Sequence, residues 1–302
     1  MERKLKDYAL LVLKGMGMGA ADVVPGVSGG TIAFITGIYD ELIDSIKGIG
    51  AANLKLLFTG WLAEFWRKAN CAFLLSVVAG IGISVLSLAK VITWLLAEQP
   101  VLVWSFFFGL VLASAWFVAK SIVGWGWKTV LALVAGAAVA WYVTVATPAE
   151  TSTALPFIFL CGAIAICAMI LPGISGSFIL VLLGKYFYIM EAVKSLRLVV
   201  LAVFAAGALT GIAVFSRILS YTLRRFRSVT LAVLSGFMLG SLGKVWPWKK
   251  VLETYVDSHG AVKPLVEVNT LPYGQTAEAA ALAVAGFVIV YVVEKLSERG
   301  VR

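Results

Sequence analysis

Apolar residues in this chain fall into long runs rather than narrow stripes. Stretches dominated by Leu, Val, Ile, Ala, Phe and Gly cover about 70–96, 101–120 and 128–146, and again about 198–222, 228–246 and 276–294. Each is long enough to carry a helix across a hydrocarbon layer, where only a helix or a closed barrel satisfies its own backbone groups. Six spanning helices are predicted. Ahead of each set of three lies a segment of another kind, apolar but interrupted by turn formers: ADVVPGVSGGTIAFITGIYDEL at 21–42 and ILPGISGSFILVLLGKY at 170–186.

The two interrupted segments are copies. Shifted by 147 residues, 25–47 falls on 172–194, and Pro25, Gly26, Ser28, Gly29, Ile32, Gly37, Tyr39 and Lys47 meet identical residues. The predicted fold class is therefore all-α. It is a polytopic membrane protein with two inverted repeats, each a broken or re-entrant helical hairpin followed by three transmembrane helices. One transmembrane domain covers 1–302, with repeat one at about 8–146 and repeat two at about 155–294.

Inversion follows from charge. Arg3, Lys4 and Lys6 precede the first hairpin and Lys47, Lys55, Arg67 and Lys68 follow it, so the positive-inside bias puts both its ends in the cytoplasm. Three crossings then turn the second copy over, leaving Lys120 and Lys128 inside and Glu98 outside. Arg224, Arg225, Arg227, Lys295, Arg299 and Arg302 end inside, so both termini are cytoplasmic. Lys185, Lys194, Arg197 and the basic loop from Lys244 to Lys263 fall outside, against the bias.

Composition agrees: 61% of residues are hydrophobic and 14% charged. The net charge of +9 lies mostly in short clusters between apolar segments, where it orients a membrane protein, so nucleic acid is not an expected partner. A basic start followed by an apolar run to Ala21 has the form of a signal peptide, but the motif after it recurs deep in the chain. Cys71, Cys161 and Cys167 have no metal-ligand spacing, and no metal or other cofactor is expected. Leu54, Leu57, Phe58, Trp61, Leu62 and Phe65 follow helical spacing beside basic residues, as in a helix lying in the interface. Trp94, Trp104, Trp125, Trp127, Trp246 and Trp248 stand at predicted span ends, as an aromatic belt does. The polar stretch 247–275, with Pro264 and Pro272, has no readable role.

The interruptions carry the chemistry. Pro25 with Gly26, and Pro172 with Gly173, end the first legs. Ser28, Gly29, Gly30 and Thr31, and Ser175, Gly176 and Ser177, then open the second legs with N–H groups, hydroxyls and a positive dipole end, a setting that suits phosphate. The plainer reading is that Pro-Gly pairs kink packed helices and small residues let them approach. Asp22, one turn before Pro25, has Met169 as its counterpart. An acid in a membrane segment is costly, so Asp22 is a candidate for proton or Na⁺ coupling, or else a cap for the tip. Arg217 and Lys185, embedded in apolar segments, are the candidate cations for the phosphate, with snorkelling as the alternative.

These two tips resemble those of a large family of bacterial membrane proteins described as polyprenyl-phosphate (undecaprenyl-phosphate) transporters, over nearly the whole chain. The resemblance implies a flippase of the bacterial cytoplasmic membrane that returns undecaprenyl phosphate, or a related polyprenyl phosphate, to the inner leaflet for envelope precursor synthesis. Its contacts carry over at motif level to Asp22, Ser28, Gly29, Gly30, Thr31, Ser175, Gly176 and Ser177. Membrane lipids, a coupling proton or sodium ion and a homo-oligomer are the partners in view. Two enzyme readings compete. The G-x-S-G pattern is similar to that of rhomboid-type proteases, but the chain has one His, His259, in the polar loop. Undecaprenyl-pyrophosphate phosphatase resembles this chain in its repeats and its Pro-Gly-x-Ser motif. There an Arg follows the Ser and clamps phosphate, whereas Gly29 and Gly176 stand here, so a non-enzyme is expected.

Overall fold

A computed structural model describes residues 3–300 apart from 25–26, 51–52, 54, 57–60, 147, 150 and 257–261. The first half runs through α1 (Leu5–Val23), α2 (Gly29–Ile35), α3 (Tyr39–Gly48), α4 (Leu62–Lys68), α5 (Cys71–Glu98), α6 (Pro100–Lys120) and α7 (Trp127–Val145). The second runs through α8 (Leu155–Ile170), α9 (Gly176–Leu182), α10 (Tyr186–Lys194), α11 (Leu198–Arg225), α12 (Arg227–Ser241), β1 (Lys249–Val256), β2 (Val262–Asn269) and α13 (Thr276–Gly300). It is an all-α polytopic membrane protein carrying one small β-hairpin. Six helices among the described residues are long and apolar enough to cross a membrane, and they are the six apolar runs.

Element lengths repeat with the motif. α2 and α9 are both seven residues long, and α5 and α11 are both 28. Each short helix ends at a glycine in the left-handed region, Gly37 at φ 71° and Gly184 at φ 61°, where a side chain would be strained. At Gly184 the chain turns by 108° from α9 into α10.

Glycine also sets the packing. In lipid, helices gain little from burying apolar surface against each other, so close backbone approach decides which pairs associate. Gly15 of α1 lies against the Val77 carbonyl of α5, and Gly80 of α5 against the Val12 carbonyl of α1. The pair α8 and α11 repeats this through Gly162 on the Phe204 carbonyl and Gly207 on the Phe159 carbonyl. Two further pairs join the halves. Gly109 of α6 meets Ala283 of α13 while Gly286 of α13 meets Phe106 of α6. Gly136 of α7 meets Val233 of α12 while Gly236 of α12 meets Leu133 of α7.

Polar groups gather at the two ends of the bundle. At one end Arg3 pairs with Glu41, Arg224 with Asp44 and Arg227 with Asp40, joining α1, α3, α11 and α12. At the other end the stretch that reads as a plain polar loop forms an antiparallel hairpin, from Lys249 opposite Asn269 to Val256 opposite Val262. Trp246 Nε1 donates to the Thr270 carbonyl at 2.9 Å and Trp248 Nε1 to the Gly274 carbonyl at 3.3 Å. Of the aromatics expected in a belt, Trp94, Trp125 and Trp127 are exposed, but Trp104 and Trp248 are buried under this hairpin. In the expected interfacial helix, Trp61 and Leu62 are exposed; Leu54, Leu57 and Phe58 lie outside the described residues.

Candidate functional site

The two interrupted segments meet inside the bundle. Ser28 Oγ donates to the Met169 carbonyl at 3.1 Å, and the Gly173 amide donates to Thr31 Oγ1 at 3.2 Å. Tyr39, fully enclosed, donates its hydroxyl to the Ile170 carbonyl at 3.1 Å. The carbonyls at 169 and 170 are orphans of the α8 C-terminus, so groups from the opposing break supply partners that α8 itself cannot. Gly30 is required here: a methyl on it would lie 2.6 Å from the Ile170 carbonyl oxygen.

The breaks differ electrostatically. At the first, the Gly29 amide donates to Asp22 Oδ1 at 2.7 Å, the Gly30 amide to Ser28 Oγ at 3.1 Å and the Thr31 amide to the Ser28 carbonyl at 2.9 Å. All three leading donors of α2 are taken, one by a carboxylate from the preceding helix. Asp22 has no salt-bridge partner among the described residues. At the second break Ser175 makes no capping bond. Its hydroxyl pairs instead with that of Ser177 at 2.9 Å, and Ser177 is exposed. Met169 stands where a carboxylate would otherwise close the tip. Of the expected helix breakers, Pro172 and Gly173 are buried, with Gly173 at φ 89°; Pro25, Gly26 and likewise His259 lie outside the described residues.

The two candidate cations sit away from this meeting point. Arg217 is exposed, its guanidinium against Gly50 just past α3, one turn from Ser220, which bonds Lys47 and Asp44. Lys185 is 4% exposed, but its ammonium donates to the Thr151 carbonyl at 2.7 Å, pinning the α9–α10 bend to the connection from α7. Two other lysines lie near the breaks, one over a ring of the second and one over a ring packed against the first. Lys244 Nζ lies 4.5 Å above the ring of Phe178, two residues beyond Gly176, and Lys249 Nζ lies 3.8 Å above the ring of Trp104. Both belong to the basic loop that falls outside against the charge bias, but nothing in its sequence marks these two lysines for a site.

Broken helices meeting within a bundle of spanning helices are the architecture of secondary transporters. The chain belongs to the family described as undecaprenyl phosphate translocase-like, whose pattern matches residues 18–263. A protein of Vibrio cholerae serotype O1 named polyprenyl-phosphate transporter is 49% identical over 273 residues, 90% of this chain and 89% of its own length. A Staphylococcus aureus protein of the same name is 32% identical over 255 residues, 78% of this chain and 85% of its own. No solved structure matches the chain. The family and both relatives are named for transport, not for a reaction.

Proposed function

We propose that this protein moves undecaprenyl phosphate, or a related polyprenyl phosphate, from the outer to the inner leaflet of the cytoplasmic membrane for reuse in envelope precursor synthesis. The observation that carries the reading is the mutual bonding of the two breaks through Ser28, Met169, Thr31 and Gly173. It supports a shared polar centre at which a lipid head can be passed between faces while the tail stays in lipid. Packing of α6 on α13 and of α7 on α12, with glycines in corresponding places, supports two inverted repeats exchanging their helices. On this orientation the end bearing Arg3, Arg224 and Arg227 is cytoplasmic and the hairpin end is external.

Of the tip residues, Ser175, Gly176 and Ser177 are the better phosphate cradle, because a carboxylate already fills the first tip. Asp22 then serves as the coupling group. While ionised it holds Gly29, and a proton or Na⁺ arriving there changes the charge at the crossing point. Lys185 and Arg217 hold the framework in this reading.

Purified protein in liposomes loaded with undecaprenyl phosphate tests it. Leaflet exchange without loss of the phosphate is the expected result. Phosphate release from undecaprenyl pyrophosphate would establish an enzyme instead, and equal exchange of unrelated phospholipids would establish a nonspecific scramblase.

A further inference from the structure

Beneath the β-hairpin lies a cavity of about 450 Å³, bounded by the ends of α7 and α12, by α9 and by the two strands. Its walls differ in character. Trp141, Val145, Val181 and Leu182 form an apolar side, whereas Lys244 and Lys249 bring ammonium groups to the other. The Lys249 side chain is 7% exposed; its Nζ donates to the Lys244 carbonyl at 2.7 Å and stands 3.4 Å from Glu267 Oε2. Lys244 Nζ faces the Phe178 ring, and no oxygen accepts its protons among the described residues.

Two ammonium groups thus share one carboxylate in a site walled by aromatic rings. Enclosing a cation without an equal counter-charge is costly, and the arrangement persists where an anion completes it. Lysine suits a phosphate monoester as a mobile point charge with three donors. A volume in the ordinary range of small-ligand sites exceeds what a bare phosphate fills, and the apolar wall opens toward lipid at Trp141, which is 59% exposed. The cavity also touches the second break directly, since Phe178 belongs to both.

Resting on the transport reading above, we infer that this cavity is the loading site for the phosphate monoester head of the lipid. Lys244 and Lys249 clamp the head, and the Trp141–Leu182 wall holds the first isoprene units. On the proposed orientation it faces the outer leaflet, one step before the Ser175–Ser177 tip. Glu267 sets the strength of the clamp by neutralising one of its two charges, so that the head can leave again.

Binding of farnesyl phosphate to the full-length protein in nanodiscs, followed through tryptophan fluorescence, tests this, with leaflet transport of undecaprenyl phosphate measured alongside. Lys244→Gln and Lys249→Gln should each weaken binding by about tenfold or more, the loss of one charge-assisted hydrogen bond. Glu267→Gln should tighten it several-fold, an effect that misfolding cannot imitate. Farnesol should not compete, and inorganic phosphate should compete only weakly. Wild-type affinity in both lysine variants, with transport intact, would overturn the loading site and leave the transport reading standing. Absence of transport in the wild type would sink both. Inorganic phosphate binding as tightly as farnesyl phosphate would make the cavity a free-anion site and overturn the lipid assignment.

Discussion

The Asp22 carboxylate accepts the amide hydrogen of Gly29 at 2.7 Å, across the break between α1 and α2. One helix thereby caps the next, and the negative charge that suits the start of α2 comes from the protein itself. In the second half the same place is held by Met169, whose carbonyl accepts from Ser28. The two breaks correspond in sequence, yet one carries its own anion and the other does not.

Asp22→Asn keeps an acceptor oxygen for Gly29 but removes the charge. It should fold with a loss of about 1 kcal/mol, the difference between a charge-assisted and a neutral hydrogen bond. If Asp22 couples transport to an ion, the variant's exchange rate in liposomes stops responding to an imposed pH or Na⁺ gradient. An unchanged gradient response would leave Asp22 as a cap only.

Space at the crossing is tight. A methyl added at Gly29 would come within 2.6 Å of Asp22 Oδ2, and one at Gly30 equally close to the Ile170 carbonyl, whereas Gly82 of α5 has nothing within 4 Å. Gly30→Ala should therefore lose about 1–3 kcal/mol through overpacking and lose transport with it. Gly82→Ala should be neutral or stabilising by up to about 1 kcal/mol, because alanine is the better helix former. Thermal unfolding in detergent with a transport assay on both variants checks the contrast.

Much of this architecture is legible in the chain, for physical reasons particular to its parts. The six spans show because a membrane helix must be apolar over its whole length. The breaks show because Pro172 and Gly173 do something locally that few residues can. Arg217 and Lys185 stand out in the sequence for one shared reason: a cation inside an apolar run reads as buried and aimed inward. Arg217 lies about two turns before the end of α11, and its guanidinium reaches Gly50 just past α3. Lys185 is buried, but backbone carbonyls consume its donors. Lys244 and Lys249 stay hidden because their enclosure is made by strands folding over Trp104, a long-range event with no periodicity to announce it.

The serines separate capping from contact. Ser28 uses its hydroxyl twice, accepting from Gly30 and donating to Met169, while Ser175 bonds only Ser177. Ser28→Ala should then cost about 0.5–2 kcal/mol of stability, as loss of a cap does. Ser175→Ala should leave the unfolding temperature nearly unchanged and still slow transport in a graded way, as should Ser177→Ala. Equal loss of stability from Ser28→Ala and Ser175→Ala would contradict the asymmetry between the breaks.

Charge at the hairpin cavity depends on pH. Burial pushes the Lys249 ammonium down to about 8, partly opposed by the nearby Glu267 carboxylate and reinforced by the like charge of Lys244. These two are the charged groups that face it, with Trp104 beneath. A group whose folded value is lowered is charged below that value and neutral above it, so Lys249 can clamp an anion at pH 7 and loses that ability as pH rises through 8. A phosphate monoester is already a dianion over this interval, its second ionisation lying near pH 6, so a change in affinity between pH 7 and 9 reports on the protein and not on the ligand. Farnesyl phosphate should bind about tenfold more weakly at pH 9 than at pH 7, the share of one charge-assisted contact. Lys249→Arg, which stays charged throughout, should flatten the profile. A wild-type profile that is flat from pH 7 to 9, or an unaltered decline in Lys249→Arg, would show that Lys249 is not the titrating member of the clamp.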